Sequence, residues 1–133
     1  MIDHSILHPT MTDEDLKREC AIAAKYDVAS VCVKPYAVAQ AAKLLKQTDV
    51  LVGCVIGFPA GNSAIEVKVF ETEKACHDGA VEIDMVINIG KALQGDWKYI
   101  TKEITADLSL QGIGYVKCYG LKDKKVIEQY KVA

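Results

Sequence analysis

The sequence predicts an α/β fold built on a parallel β-sheet. Three observations lead there. Short segments rich in β-branched residues alternate with segments of helical period along the chain. Residues 81–90 hold Ile83, Met85, Val86, Ile87 and Ile89 in a near-continuous apolar run, the pattern of a parallel strand covered on both faces. A chain of 133 residues has room for one core, so 1–133 is expected to be a single domain.

Residues 2–7 make a short apolar first strand that ends before Pro9 and is interrupted by Asp3. Thr12 is placed to cap the first helix, and Asp13, Glu14 and Asp15 crowd its first turn, where the helix dipole favours acids. Leu16, Cys20, Ala23 and Ala24 follow at helical spacing. Residues 29–33 form the second strand. Pro35 opens the next helix at a position where a missing N–H costs nothing, and Val38, Ala41, Ala42 and Leu45 form its apolar face.

Residues 50–56 are the third strand, and the loop at 57–62 carries Gly57, Pro59 and Gly61, suited to unusual backbone angles. Ser63 and Glu66 read as a capping box for a third helix that runs past Val67 and Phe70 and stops at Gly79. Residues 81–90 are the fourth strand. Asp96 starts a fourth helix with a stripe of Trp97, Ile100, Ile104 and Leu108, ended by Gly112. Residues 114–117 make a short fifth strand, and 122–133 a last helix with Val126, Ile127 and Tyr130 inward. Such alternation implies right-handed crossovers. It leaves two architectures: a doubly wound open sheet, which closes with about five strands, and a (β/α)8 barrel, typically of about 250 residues. Length alone favours the first.

Hydrophobic residues are 50% and charged residues 26%, so the chain is globular rather than disordered. A net charge of -2 points to neither nucleic acid nor membrane as a partner. No apolar run approaches the roughly 18 residues of a membrane span, and the N-terminus lacks the basic-then-apolar pattern of a signal peptide. Five cysteines, an odd number with no CxxC pair, read as reduced thiols of a cytoplasmic protein. There is no glycine-rich phosphate loop. His4 and His8 flank a strand end rather than share a helix face, so no metal site is expected; His77 suits the end of a helix.

Asp84 is the residue that asks for an explanation. An ionised carboxylate inside an apolar strand costs several kcal/mol unless it is paired or hydrogen-bonded. It either anchors a backbone group or a lysine, or acts as an acid/base or the partner of a catalytic lysine. Glu82, at the strand start, is expected to be wetter.

Five segments occur in order: Ile-Asp-His-Ser-Ile-Leu at 2–7, Ser-Val-Cys-Val-Lys-Pro-Tyr at 30–36, Val-Ile-Gly-Phe-Pro-Ala-Gly at 55–61, Glu-Val-Lys-Val-Phe-Glu at 66–71 and Glu-Ile-Asp-Met-Val-Ile-Asn at 82–88. Together they closely resemble the N-terminal half of the deoxyribose-phosphate aldolase family, over residues 2–106. The resemblance implies a (β/α)8 TIM barrel, here incomplete with about five βα units, and a class I aldolase that needs no cofactor. A lysine amine forms an iminium ion with acetaldehyde, and the derived enamine adds to glyceraldehyde 3-phosphate, giving 2-deoxyribose 5-phosphate. The small phosphorylated sugar is thus the implied partner, with association into a homo-oligomer. Asp84 matches the family's proton-relaying aspartate. Asp3, Ser5 and Cys32 match positions lining its site, with Cys32 a buried neighbour rather than a nucleophile.

The resemblance also has a limit. The family's Schiff-base lysine lies on a sixth strand, in a segment like Val-Lys-Thr-Ser-Thr-Gly, and its second lysine and phosphate amides lie later still; none has a counterpart here. Lys117 is the candidate amine within the chain, although counting from Asn88 it falls on the fifth strand, which looks cut short at Cys118. Weak or no activity from these residues alone is therefore expected, as is marginal stability from unpaired sheet edges. Two other readings stand beside this one: a non-catalytic chain acting through association with a partner, and an open-sheet α/β protein binding another small ligand.

Overall fold

A computed structural model describes residues 2–106 in full and the backbone of 107–108 and 115–119. Five parallel strands form one sheet: β1 (Asp3–Ile6), β2 (Ser30–Val33), β3 (Leu51–Ile56), β4 (Glu82–Val86) and β5 (Tyr115–Tyr119). They lie in the order β1-β2-β3-β4-β5. The connections hold α1 (Asp13–Lys25), a 3₁₀ turn (Pro35–Ala37) leading into α2 (Val38–Leu45), α3 (Ile65–His77), and α4 (Ile89–Leu93) with α5 (Trp97–Leu108).

The strand order never reverses. A doubly wound sheet must reverse at a switch point, so this sheet is wound in one direction, as an arc of a (β/α)8 barrel, and the doubly wound reading is overturned. With crossovers of one hand, one-way winding carries every helix to the same face. The core lies there: Ile6, Val31, Val33, Cys54, Ile56, Ile83 and Met85 pack with Leu16, Cys20 and Ala23 of α1, Val38 and Ala41 of α2, and Ile100 and Ile104 of α5.

Side chains alternate along each strand, and register aligns the second set across the sheet. Asp3 and Ser5 pair with Ser30 and Cys32, and Gly53 and Val55 with Glu82 and Asp84. The β4 run is therefore not uniformly apolar in its surroundings. One face is helix-packed, and the other carries two acids. Glu82 is not wet: it is only 6% exposed.

Local signals explain most boundaries. At α1, Thr12 is extended and its Oγ1 accepts the Asp15 N–H, while Asp15 Oδ2 accepts the Thr12 N–H at 2.9 Å. The α3 start differs from the expected capping box at Ser63. The N–H groups of Val67 and Lys68 both donate to Ala64 O, so the N-cap is Ala64, whose methyl can accept no hydrogen bond, and not Ser63. β4 stops at Val86 rather than continuing to 90. Asn88 Oδ1 accepts the Lys91 N–H at 3.0 Å and starts α4, leaving Ile89 42% exposed. β5 is not cut short, since Cys118 and Tyr119 pair with Met85 and Val86. Gly112 and the helix expected at 122–133 lie outside the described residues.

The two hydrogen bonds from Thr12, then the Arg18 guanidinium, lower the Asp15 carboxyl from 3.8 to about 2. Because the folded value is depressed, its contribution to stability is present above 3.8 and is lost as pH falls through about 2. Wild type and Asp15→Asn are expected to differ by a constant amount near neutral pH. The gap should close as pH falls from about 4 to about 2, followed by urea unfolding.

Candidate active site

Helices cover one face of the sheet; the other opens on a cavity of about 460 Å³. Asp3 and Ser5 of β1, Cys32 of β2, Val55 of β3, and Asp84 and Val86 of β4 line it. The four residues singled out from the sequence at the first, second and fourth strands thus share one space. The fifth, Lys117, is the backbone register partner of Asp84 on β5.

Asp84 is 4% exposed, and its Oδ2 accepts a hydrogen bond from Cys32 Sγ at 2.9 Å. Burial first, and then that hydrogen bond and the charge of Asp84, push the Cys32 thiol far above its ordinary value. Cys32 is therefore a protonated donor to the carboxylate, the opposite of an activated nucleophile. At the starts of β1 and β2, Ser30 Oγ donates to Asp3 Oδ1 at 2.9 Å. Neither His4 nor His8 lines this cavity: His4 Nε2 lies 3.0 Å from Glu19 Oε2 of α1, and His8 Nδ1 lies 2.8 Å from Thr10 Oγ1. Among the described residues no cluster of His, Cys, Asp and Glu could hold a metal ion.

The turn after β3 covers the cavity with Phe58 and Pro59. The peptide between them is cis, and Gly57 and Gly61 on either side have φ of 64° and 67°. The turn closes through Gly61 N–H to Gly57 O at 2.8 Å, and Gly57 N–H donates to Glu71 Oε2 at 2.8 Å. A side chain at Gly61 has no room, because its Cβ would lie 1.9 Å from Ile87 O. A second hollow, of about 790 Å³, shares Ser5, Val55, Phe58 and Pro59 and extends the site toward Lys34.

Sequence reasoning missed the groups that hold this arrangement. Lys68 of α3 is fully buried, with Nζ at 2.8 Å from Gly61 O, 2.7 Å from Val86 O and 2.5 Å from Glu103 Oε1 of α5. Glu103 Oε2 accepts the Asn88 N–H at 2.9 Å. Removing one partner of such a buried pair costs about 3–5 kcal/mol. A signal existed. Ile65, Lys68, Thr72 and Ala75 recur at helical spacing and are the buried face of α3. The apolar residues Val67 and Phe70 lie on the other face: Phe70 is 69% exposed.

Three comparisons place this geometry among known proteins. A family model described as DeoC/LacD family aldolase matches residues 1–107. A deoxyribose-phosphate aldolase of Thermoanaerobacter sp. (strain X514) is 45% identical over 127 residues, covering 96% of this chain and 55% of that protein. One from Treponema denticola is 50% identical over 105 residues, covering 79% of this chain and 49% of that protein. The chain thus spans about half the length of the curated relatives it matches. Among solved structures, the tetrameric deoxyribose phosphate aldolase from Aeropyrum pernix superposes with a TM-score of 0.79 at 27% identity, over 87% of this chain and 49% of that one.

Gly61→Ala is expected to destabilise by well over the roughly 1–2 kcal/mol of a left-handed backbone alone. Gly95→Ala also has a positive φ, but its nearest neighbour is 4.0 Å away, and it should show only the backbone cost. Urea unfolding of the two variants separates the close approach from the dihedral.

Proposed function

The chain belongs to the DeoC/LacD aldolase family, and from that premise we propose that its described residues form the acid–base side of a Schiff-base aldol site. The reaction proposed is cleavage and formation of 2-deoxyribose 5-phosphate through glyceraldehyde 3-phosphate and acetaldehyde. One observation carries the reading: a buried carboxylate, Asp84, faces a cavity it shares with Asp3, Ser5 and Cys32.

The chemistry follows from that placement. Once an amine and the substrate carbonyl have formed an iminium ion, the carbon–carbon bond breaks as the adjacent hydroxyl loses its proton, and the electron pair moves into the iminium to give an enamine. A carboxylate inside the cavity can take that proton and return one to the enamine carbon, directly or through water. The Cys32 S–H group donates to Asp84 Oδ2 and so fixes the orientation of the carboxyl group in the cavity. Asp3 and Ser5 offer polar atoms at the β1 side for substrate hydroxyls.

The amine is the part these residues do not obviously supply. The family's Val-Lys-Thr-Ser-Thr-Gly segment has no counterpart in residues 1–133. Lys117 stands in register with Asp84 on the strand before the one that carries the family's amine. The reading therefore includes weak or absent turnover by these residues alone. Association between copies of the chain is part of the same proposal, after the tetrameric Aeropyrum pernix relative. So is a cytoplasmic setting, supported by free Cys20, Cys32, Cys54 and Cys76.

Borohydride reduction in the presence of acetaldehyde, with peptide mass mapping, tests the amine. No ethyl adduct concentrated on one lysine is expected, beside a full-length relative that labels. An adduct confined to Lys117 would show that this strand rebuilt the imine step. Mixing the chain with the C-terminal half of the Thermoanaerobacter relative tests the acid–base side. Sugar-phosphate cleavage is expected in the mixture, and Asp84→Asn should lower it by about 10²–10⁴-fold. Cleavage indifferent to Asp84→Asn would sink the assignment.

A further inference from the structure

We infer that Lys68 is a positioning residue for this cavity: it locks the turn that covers the site to the end of the strand that carries Asp84. An ammonium group has three N–H donors. Here each meets an acceptor from a different segment: Gly61 O in the covering turn, Val86 O at the end of β4, and Glu103 Oε1 on α5. Val86 itself lines the cavity, two residues beyond Asp84. Glu103 completes the lock from the other side by accepting the Asn88 N–H, so α5 grips the same strand end.

The stem of the lysine is used as well. A Cβ at Gly57 would lie 2.6 Å from Lys68 Cε, so the first residue of the turn rests directly on the methylene chain. Length, flexibility and three donors at one atom are thus all required. Methionine keeps the length without the donors, and arginine spreads its donors over a planar fork that does not converge on one point. Lys68 and Glu103 do not line the cavity themselves. Lys68 acts through the turn that carries Phe58 and Pro59 and through Val86, which do. The inference rests on the aldolase reading only for what the cavity is used for, and its test needs no catalysis.

Two of the three buried thiols among the described residues provide the readout. Cys32, 6% exposed, lies in the cavity beneath the covering turn. Cys20, 1% exposed, sits in the core on α1, outside the cavity, and reports global opening. Both thiols are held protonated by burial, Cys20 at about 11 and Cys32 higher, so each is compared with its own rate in the unsubstituted chain.

The experiment is alkylation by iodoacetamide under native conditions, mapped by peptide mass. Lys68→Met is expected to raise the Cys32 rate about tenfold relative to Cys20, the mark of local rather than global opening. The double substitution Lys68→Met with Glu103→Met removes both charges of the pair, so neither is left buried alone. It should raise the melting temperature above that of Lys68→Met while keeping the selective exposure of Cys32. Equal acceleration of both thiols would overturn the inference, since the pair would then contribute stability alone. An unchanged Cys32 rate in a folded variant would overturn it too, since the cover would then be held by other contacts. If Lys68→Met fails to fold, the double substitution carries the same comparison.

Discussion

One-directional winding is the constraint on which this structure depends. A parallel sheet whose strands follow one another in space sends every crossover helix to the same side. That side must be apolar, and it is: alternate residues of all four fully described strands pack against α1, α2, α3 and α5. The other side opens on the cavity, where only Ile89 at the start of α4 reaches in from a described helix, and its alternate positions are free to be polar. Asp3, Ser5, Ser30, Cys32, Glu82 and Asp84 occupy it in register. A doubly wound sheet with helices on both faces would have buried these groups against apolar side chains at several kcal/mol each. The polar residues of the strands and the winding of the sheet are two sides of one physical fact.

A polar face still has to be held in shape, and here a second buried charge pair does it. Lys68 and Glu103 are removed from water, which is costly, and recover that cost only because four polar contacts converge on them. Every contact joins something different: the covering turn, the end of β4, the start of α4, the length of α5. The glycines of the turn belong to the same device. Gly57 makes room for the lysine stem, and Gly61 lets the chain pass against Ile87 O. A purely apolar plug at this place would fill the space without specifying where the turn sits.

Much of the fold was legible because its signals are local. The Thr12 cap, the stop at Gly79, the spacing of Leu16, Cys20 and Ala23, and the start of α5 at Asp96 each depend on residues a turn apart. The failures share a cause. Ser63 looked like a cap because serine usually is one, but where a helix begins depends on which carbonyl its first free N–H groups reach. The run at 81–90 looked like a strand to its end because Ile87 and Ile89 are β-formers, yet one Asn88 side chain outweighs them. On α3 the face that turns inward bears Lys68 and Thr72, while the apolar Val67 and Phe70 are exposed. Apolarity reports burial only on average.

For the site, the residues taken one at a time were readable: Asp84 as a carboxylate out of place, and Asp3, Ser5 and Cys32 through the motifs around them. Their meeting was not. Cys32 and Asp84 are 52 positions apart, and Lys68 and Glu103 are 35. Period and local signals determined an alternating α/β chain with its main strands and helices, and five short ordered motifs carried the family resemblance, because those properties depend on near neighbours. Only the tertiary structure decided which face of each strand carries the chemistry and which lysine is buried. Those depend on the order in which strands lie side by side, a long-range outcome that no single segment contains.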